Sequence, residues 1–494
     1  MYGVNNSNTG KRVQRGAATL AALLLVSAMP SLLAQTVAAG CEQVLTARQA
    51  SRCIGTASSF RPIPKLDATH TYELAELIDI AESASPEARI AWAQAKRAME
   101  EAGVQRAQYL PLLGFAVQGS DARVITPFPK PLAPRGYVTV ELPTALAQLE
   151  LQYSLLDYGR RPKLEGSKAL EVASALKFGR TSQTIAYQTA VQFFRVQQAM
   201  GQLDAAKQIL LTAQTLRSNA QSQFDNGRST LPDVQNAQAG EAGARYDLAS
   251  AEGEVQKAKL SLTETIGVEP TAEIAVVAMN KVAPEDFDAP VEELIDKAWK
   301  NRPDLLARAQ ELNRAQQATK AARAKYLPEV GLTATGGQTN MWPTADFGQL
   351  GRANVSTWSA AVRLKWEIFN GARGHEVNAA MAEQKAAAEE QRATQDAVTR
   401  QVWDSYVDYK TAIEQQHASQ SFLDSSTVSY ESSLDAFRYG VRSLVDVVQA
   451  ERQLAQARLE DVRARAHVQQ SAAALSYAIG NMPSVNGSTT GWKP

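Results

Sequence analysis

The sequence predicts a mainly α-helical protein with a small transmembrane β part, assembled from one unit that occurs twice. Three observations carry that expectation. The chain repeats itself at a spacing of about 215 residues, far too long for a solenoid. Each copy holds long helical stretches punctuated by proline and glycine. Each also holds two short segments of alternating apolar and polar residues, in a chain whose N-terminal segment reads as an export signal.

Ala107-Gln108-Tyr109-Leu110-Pro111 recurs as Ala324-Lys325-Tyr326-Leu327-Pro328, and Pro86-Glu87 recurs as Pro303-Asp304, both at an offset of 217. Phe224 through Val234 recurs as Phe437 through Val447, and Ile266-Gly267 as Ile479-Gly480, at an offset of 213. The elements of each unit follow in order. Pro86 and Pro303 stand where proline opens a helix, at its first position. Helical sequence then runs to Tyr109 and Tyr326, where Leu-Pro breaks it. Strands are expected at 114–120 and 148–155 in the first unit and at 330–335 and 358–368 in the second. Polar loops at 121–146 (with Pro127, Pro129, Pro131, Pro134 and Pro143) and at 339–357 join them. A long helix follows in each unit (160–224 and 373–437), and about 65 residues of helix span about 98 Å. Asn226-Gly227 and Tyr439-Gly440 end these helices. Return helices are expected at 231–266 and 444–479. Apolar residues step by three and four along the long helices, as the narrow seam of a coiled coil does. They are Ile209, Ala213, Leu216, Ala220 and Phe224, then Val398, Val402, Tyr406, Tyr409 and Ile413.

The strands decide between a plain coiled-coil rod and a membrane protein. Leu149, Leu151, Tyr153 and Leu155 alternate with Gln148, Glu150, Gln152 and Ser154. Trp358, Ala360, Val362, Leu364, Trp366 and Ile368 alternate with Ser359, Ala361, Arg363, Lys365 and Glu367. A half-buried soluble sheet has the same period. No apolar helix face is left over to cover such a sheet, however, and the strands fit a barrel with a wet interior. Four strands cannot close a barrel, and lipid tolerates no open edge. Two copies would supply eight strands and three would supply twelve.

Composition excludes other classes. The chain has 494 residues, and 51 Lys+Arg against 51 Asp+Glu leave no net charge to attract nucleic acid. The histidines (His70, His375, His417, His467) are scattered, with no metal-ligand spacing, and no nucleophile elbow, phosphate loop or CxxC pair occurs. Neither catalysis, nor a cofactor, nor a metal is expected. Residues 1–40 read as a secretory signal: Lys11, Arg12 and Arg15, then an apolar run from Ala17 to Met29, then small residues. Cys41 and Cys53 leave two readings open. Cys41 is lipidated after Ala38-Ala39-Gly40, or it pairs with Cys53 as a disulfide.

The paired motifs resemble the TolC family of bacterial outer-membrane channels over about residues 70–480. Tyr439-Gly440-Val441-Arg442-Ser443-Leu444-Val445-Asp446-Val447 and its partner around Asn226-Gly227 and Thr230-Leu231-Pro232-Asp233-Val234 are the most specific part. Ser85-Pro86-Glu87, Arg302-Pro303-Asp304 and Phe369-Asn370-Gly371 support it. The resemblance implies a homotrimer, with a 12-stranded β-barrel in outer-membrane lipid on a 12-helix α-barrel in the periplasm. It also implies docking, through tips at Gly227, Gly440 and Ser443, onto a periplasmic membrane-fusion adaptor and an inner-membrane pump of RND or ABC type. Carried over by position, Thr230 and Asp233 accept bonds from Arg442 as a gate latch, and Phe437 replaces a tyrosine of that latch. Asp446 and Gln449 occupy the positions of the lumen constriction.

The expected layout is a signal (1–40), a leader (41–69), repeat 1 (70–267), a linker (268–300), repeat 2 (301–480) and a disordered tail (481–494). The expected function is the exit duct of an export system, for drugs and other small molecules or for a type I secreted protein. The rival is a periplasmic coiled-coil scaffold or adaptor with no membrane barrel.

Overall fold

Serine and proline set the helix starts. The computed structural model describes residues 46–56, 66–67, 69–130, 133–270, 272–279, 287 and 289–482. The expected signal, Cys41 and residues 483–494 lie outside the described residues. In chain order the first elements are α1 (Ala47–Thr56), β1 (Thr71–Tyr72), α2 (Leu74–Ala84), α3 (Pro86–Ala107), β2 (Leu112–Pro127), β3 (Tyr137–Leu156), α4 (Arg160–Asp225) and α5 (Leu231–Thr265). There follow β4 (Ala275–Val276), α6 (Val291–Asn301), α7 (Pro303–Ala324), β5 (Glu329–Met341), β6 (Thr344–Ala345), β7 (Gly348–Gln349), β8 (Ala353–Lys365), α8 (Ala372–Arg438) and α9 (Leu444–Ile479). Ser85 caps α3 by accepting the amides of Glu87 (3.2 Å) and Ala88 (3.4 Å), and Pro86 fills the first position, where its missing N–H costs nothing.

The duplication runs further than the motifs indicate. Helices α2 and α6, each of 11 residues, end just before the two helix-opening prolines, so α6 lies almost wholly inside the expected linker and runs one residue past it. β1 and β4 pair in parallel, tying the start of repeat 1 to that linker. The long helices α4 and α8 have 66 and 67 residues. Each packs antiparallel on its return helix (α5, α9) and is flanked by its entry helix (α3, α7), and α4 also packs on α7 and α9. The expected seam is buried at Ala213, Leu216 and Ala220 and at Val398, Val402 and Tyr409. Phe224 departs from it. It is exposed at the end of α4, whereas its counterpart Phe437 is buried against Leu444 and Val447.

The leader is partly a docked helix. Ala50, Cys53 and Ile54 of α1 bury against Ala95 of α3, Val172 and Leu176 of α4 and Ala307 of α7. Trp92 donates to the Ile54 carbonyl at 2.9 Å, and Ser51 donates to Glu171, a fully buried carboxylate with Arg106 at 3.5 Å. Burial raises the Glu171 carboxyl above its ordinary range despite these partners. Cys53 is disulfide-bonded. At the other end the expected disordered tail starts too early, because Asn481 donates to Ser476 (2.9 Å) and Met482 is buried.

The strands are longer than expected. β2 and β3 run through most of the proline-rich stretch read as a loop, and β5 and β8 likewise shorten the second loop. Pro127 ends β2, and Pro143 lies just beyond the β3–β5 ladder, which starts at Thr144↔Met341, so its missing N–H breaks no bond there. β8 ends at Lys365, short of Trp366 and Ile368. The core sheet has the order β2-β3-β5-β8, all antiparallel, and β6 and β7 fold onto the far end of β3. Its register sorts the side chains. Phe115, Leu149, Gly336 and Trp358 form one cross-strand row, and Tyr153, Leu332 and Val362 another, on the same face. Gly114, Glu150, Thr335 and Ser359 form a row on the opposite face, with a Thr335–Ser359 hydroxyl bond at 2.9 Å. No described helix covers the apolar face, and Trp358 is 83% exposed. No described helix is itself long and apolar enough to cross a membrane. β2 and β8 have no partner on their outer edges among the described strands.

Two buried arginines fix the turn from strand to long helix, one per repeat. Arg160, at the start of α4, donates to the Gln108 carbonyl (3.0 Å) and covers the Tyr109 ring at 4.4 Å. Arg373, near the start of α8, lies 5.5 Å from the Tyr326 ring and pairs with Glu367 at 2.8 Å. A third arginine ties the helices of repeat 2 to one another, and α4 of repeat 1 packs against that knot. Arg302, 3% exposed, grips Asp304 through two bonds (3.0 and 2.6 Å) and donates to Gln401 of α8 (2.8 Å) and to the Ala478 carbonyl of α9 (3.1 Å). Arg180 of α4 lies 3.8 Å from Asp304 and stacks on Tyr477 at 3.7 Å, and Gln183 donates to the Gly480 carbonyl at 2.9 Å.

Candidate functional site at the helix tips

The two helical hairpins, α4–α5 and α8–α9, end in tips of the same design. Gly227 (φ 69°) and Gly440 (φ 75°) take the left-handed conformation that lets the chain reverse, and side chains at these positions would be strained. The reversal is closed by backbone bonds from Arg228 to Gln223 (2.8 Å) and from Val441 to Ala436 (2.8 Å). The next helix is then capped. Asp233 accepts from the Thr230 amide (2.9 Å), the Thr230 hydroxyl (2.6 Å) and the Ser229 hydroxyl (3.0 Å). Asp446 accepts from the Ser443 amide (3.2 Å) and hydroxyl (2.8 Å), while the Ser443 hydroxyl accepts from the Asp446 amide at 3.4 Å.

Asp233 and Asp446 are thus the same residue of the duplicated unit, each closing a capping box. The signal was present in the sequence as Ser/Thr-x-x-Asp ahead of each return helix. The Thr230 side chain, and after it the Thr230 amide, hold the Asp233 carboxyl below its ordinary range, so it is ionised at neutral pH.

Within one chain the structure does not join Arg442 to Thr230 or Asp233. The Arg442 guanidinium turns back to the buried Ser433 hydroxyl of α8 at 3.2 Å. Phe437 packs in the apolar cluster of the tips, with Leu216 and Ala220 of α4 and Ala237 of α5. That cluster holds the two hairpins together at their ends. Asp446 and Gln449 stay exposed on α9. Outward from the tips project Tyr439 (85% exposed), Val441 (78%), Val445 and Leu231, an apolar crown beside the two glycines.

Just above the tips, a cavity of about 810 Å³ separates the hairpins, lined among others by Leu216, Asp233, Asp247, Gln449 and Glu451. Burial pushes the Glu451 carboxyl up to about 7, against a weak opposing pull from Arg452. Burial, and then the charge of Glu451, push the Tyr430 phenol to about 12. Sequence patterning did not single out Glu451, because nothing local marks it. Among the described residues no group of His, Cys, Asp and Glu has the geometry to hold a metal ion.

The sequence matches the outer membrane efflux protein family over residues 77–268 and 294–481, one stretch in each repeat. Protein CyaE of Bordetella pertussis is 27% identical over 426 residues, which cover 85% of this chain and 86% of that protein. The cation efflux system protein CusC of Escherichia coli is 25% identical over 271 residues, 54% of this chain and 57% of CusC. The solved structure of the outer-membrane channel OprN superposes with a TM-score of 0.69 at 17% identity, over 85% of this chain and 94% of that one. With repeated helical hairpins, a sheet bare on its apolar face and both repeats matched, the chain belongs to the outer membrane efflux protein family: it is a channel of the outer membrane that extends into the periplasm, and not an enzyme.

Proposed function

We propose that three copies of this chain form the exit duct of a tripartite export system. The observation that carries this reading is the sheet, with four strands, one apolar face open to lipid, and free edges at β2 and β8. A membrane sheet has to close. Twelve strands from three chains would do so, above an α-barrel built from their helical hairpins. The exposed crown at Tyr439, Val441 and Val445 would dock a periplasmic adaptor, which joins the duct to an inner-membrane pump of RND or ABC type. The cargo is a small molecule or a type I secreted protein, and the cation-efflux name of the relative CusC supports the former. Deletion of the chain, with drug susceptibility and culture-supernatant proteins assayed side by side, separates the two. Outer-membrane fractionation with heat-sensitive trimer migration tests the duct itself. A protein that stays soluble in the periplasm would be a scaffold instead.

In this assembly Arg442 has a second partner to choose. It releases Ser433 and reaches Thr230 and Asp233 of the partner subunit, an ionised carboxylate already oriented by its capping box. Charge-assisted bonds of this kind are strong and directional. Phe437 has no hydroxyl to add to the latch. Arg442→Ser should therefore raise single-channel conductance in planar bilayers, and unchanged conductance counts against the latch. Asp446 and Gln449 would ring the lumen, with three carboxylates where a two-aspartate pattern has six. Block by trivalent cations should accordingly be weak in wild type, and Gln449→Asp should strengthen it. Equal block in both proteins excludes the ring. Cys41, the other cysteine of the chain, pairs with Cys53 in this reading. The intact mass of the mature protein should show no lipid adduct.

A further inference from the structure

Between the two hairpins runs a seam with a fixed upper end and a gap below it. Helices α4 and α9 pack closely at Gly201, where a β-carbon would stand 2.8 Å from Val462 Cγ1, so only glycine fits without displacement. The hairpins leave a cavity of about 590 Å³ around this contact, lined among others by Gly201, Arg458, Asp461 and Val462, and the cavity of about 810 Å³ nearer the tips. They also meet at the Arg458–Thr212 contact and in the apolar cluster of the tips, where Leu216, Ala220 and Ala237 face Leu434, Leu444 and Val447.

Glu451 sits in the larger gap, two turns of α9 from Ser443. No hydrogen bond or ion pair reaches its carboxylate among the described residues. The groups around it are few. Helix α5 presents Asp233 and Asp247, α9 presents Arg452 and, two turns on, Arg458, and α8 presents the Tyr430 phenol. Helix α4 presents Ile209, Ala213 and Leu216, none of which titrates. Arg458 is engaged with the Thr212 hydroxyl at 3.4 Å. An ionised Glu451 would thus be a half-buried charge without a partner in a partly closed gap, and a neutral one would not carry that cost.

We propose that Glu451 is a gating residue of this channel: protonated, it lets the α8–α9 hairpin seat against α4–α5 above the tips, and ionised, it loosens that seam. The sign follows from linkage. In the seated arrangement burial holds the carboxyl at about 7. In a hydrated, parted arrangement it returns to the ordinary ~4.3 of a glutamate. The seated form binds more protons, so seating is favoured as pH falls through 7 and lost above it. Between pH 6 and pH 8 the ratio of parted to seated forms rises about tenfold per chain. Conductance reports this only if the chain is the proposed duct, and a distance measurement reports it in either case.

The test uses the full-length assembled protein with spin labels at Gln235 on α5 and Gln453 on α9, both exposed. Label separation is measured from pH 5.5 to 8.5, and planar-bilayer conductance over the same range. The expected result is a separation that grows through about pH 7, with higher conductance at pH 8, and a pH-independent short separation in Glu451→Gln. Should Glu451→Gln fail to assemble, Glu451→Asp is read instead. Its midpoint should fall by about half a unit, as the shorter acid is intrinsically stronger. A wild-type separation that does not change with pH overturns the proposal, as does a wild-type response kept in Glu451→Gln or an unmoved midpoint in Glu451→Asp. A pH-dependent separation without conductance supports the gating residue and removes the duct. Conductance with a static separation does the reverse.

Discussion

Replacing Gly337 by valine is expected to abolish assembly in the outer membrane. Gly337 lies on β5 opposite Gln148 of β3, and a β-carbon there would fall 2.6 Å from Gln148 Cβ and 2.7 Å from Gln148 Cα, with the Ala147 carbonyl nearer still. The obstacle is backbone rather than the far end of a flexible side chain. The strands can make room only by separating or slipping. A slip of one residue between β3 and β5 would set Leu149 and Trp358 on opposite faces of the sheet and bring Glu150 onto the face of Trp358. Ordinary overpacking costs about 1–3 kcal/mol, and parting a central ladder costs more. Gly336→Ala is the control, because no neighbour lies within 4 Å of a β-carbon at the adjacent position. Heat-sensitive oligomer migration and outer-membrane yield should be lost in Gly337→Val and kept in Gly336→Ala. Normal assembly of both variants would refute the register on which the lipid face depends.

The second large effect is expected at Arg302. Removing one member of a buried, hydrogen-bonded ion pair costs about 3–5 kcal/mol, because the remaining charge is left without its partner. Arg302→Ala strands Asp304 and also leaves Gln401 and the Ala478 carbonyl without a donor. The loss falls where α7, α8 and α9 meet, so thermal melting of the helices should drop and limited proteolysis near the repeat junction should increase. Arg302→Lys should recover only part, since an ammonium lacks the fork that grips both carboxylate oxygens. The pair has a pH signature. Burial raises the Asp304 carboxyl, but the bonds and charge of Arg302, with the charge of Arg180, outweigh it and hold the group below its ordinary range. A depressed carboxyl contributes stability above the unfolded value of ~3.9 and loses it as pH falls through the lower folded value. Wild type should therefore lose stability in that acid window, and Arg302→Ala should lose less. A variant as stable as wild type, with the same acid response, would refute the pin.

What could be read from sequence was local. Proline and glycine placed the ends of α3, α4, α7, α8 and α9 within a few residues, because those side chains act on the backbone that carries them. The same rule misplaced the strands. Pro127 and Pro143 made 121–146 look like a loop, yet one proline ends a strand and the other lies where one neighbour has already left. Helices α2 and α6 escaped because both directly precede a stronger signal, the helix-opening prolines, although each has a clear apolar face (Leu74, Leu77, Ile78 and Ala81; Val291, Leu294 and Ala298). At the tips, Asp233, Asp446 and the glycines were legible, though as separate roles rather than as one duplicated cap. Arg160 with Tyr109, Ser51 with Glu171 and Arg302 with Gln401 were not legible. Each pair lies 50 or more residues apart, and no local pattern says which residues the helix register brings together. Glu451 was invisible for the same reason, since its character comes from the hairpin across the gap.

The free edges of β2 and β8 have a consequence in time as well as in space. A chain that closes its own sheet finishes folding in a first-order process, at a rate indifferent to its abundance. In the proposed duct this chain would have no such option, because its last ladders would need strands from other chains. Completion of the proposed duct would then be an encounter between subunits, faster when more are present and slow when they are scarce. During that wait each subunit carries two adhesive edges and an uncovered apolar face, the combination that also drives aggregation. Expression level thus sets the balance between productive closure and loss of the subunit.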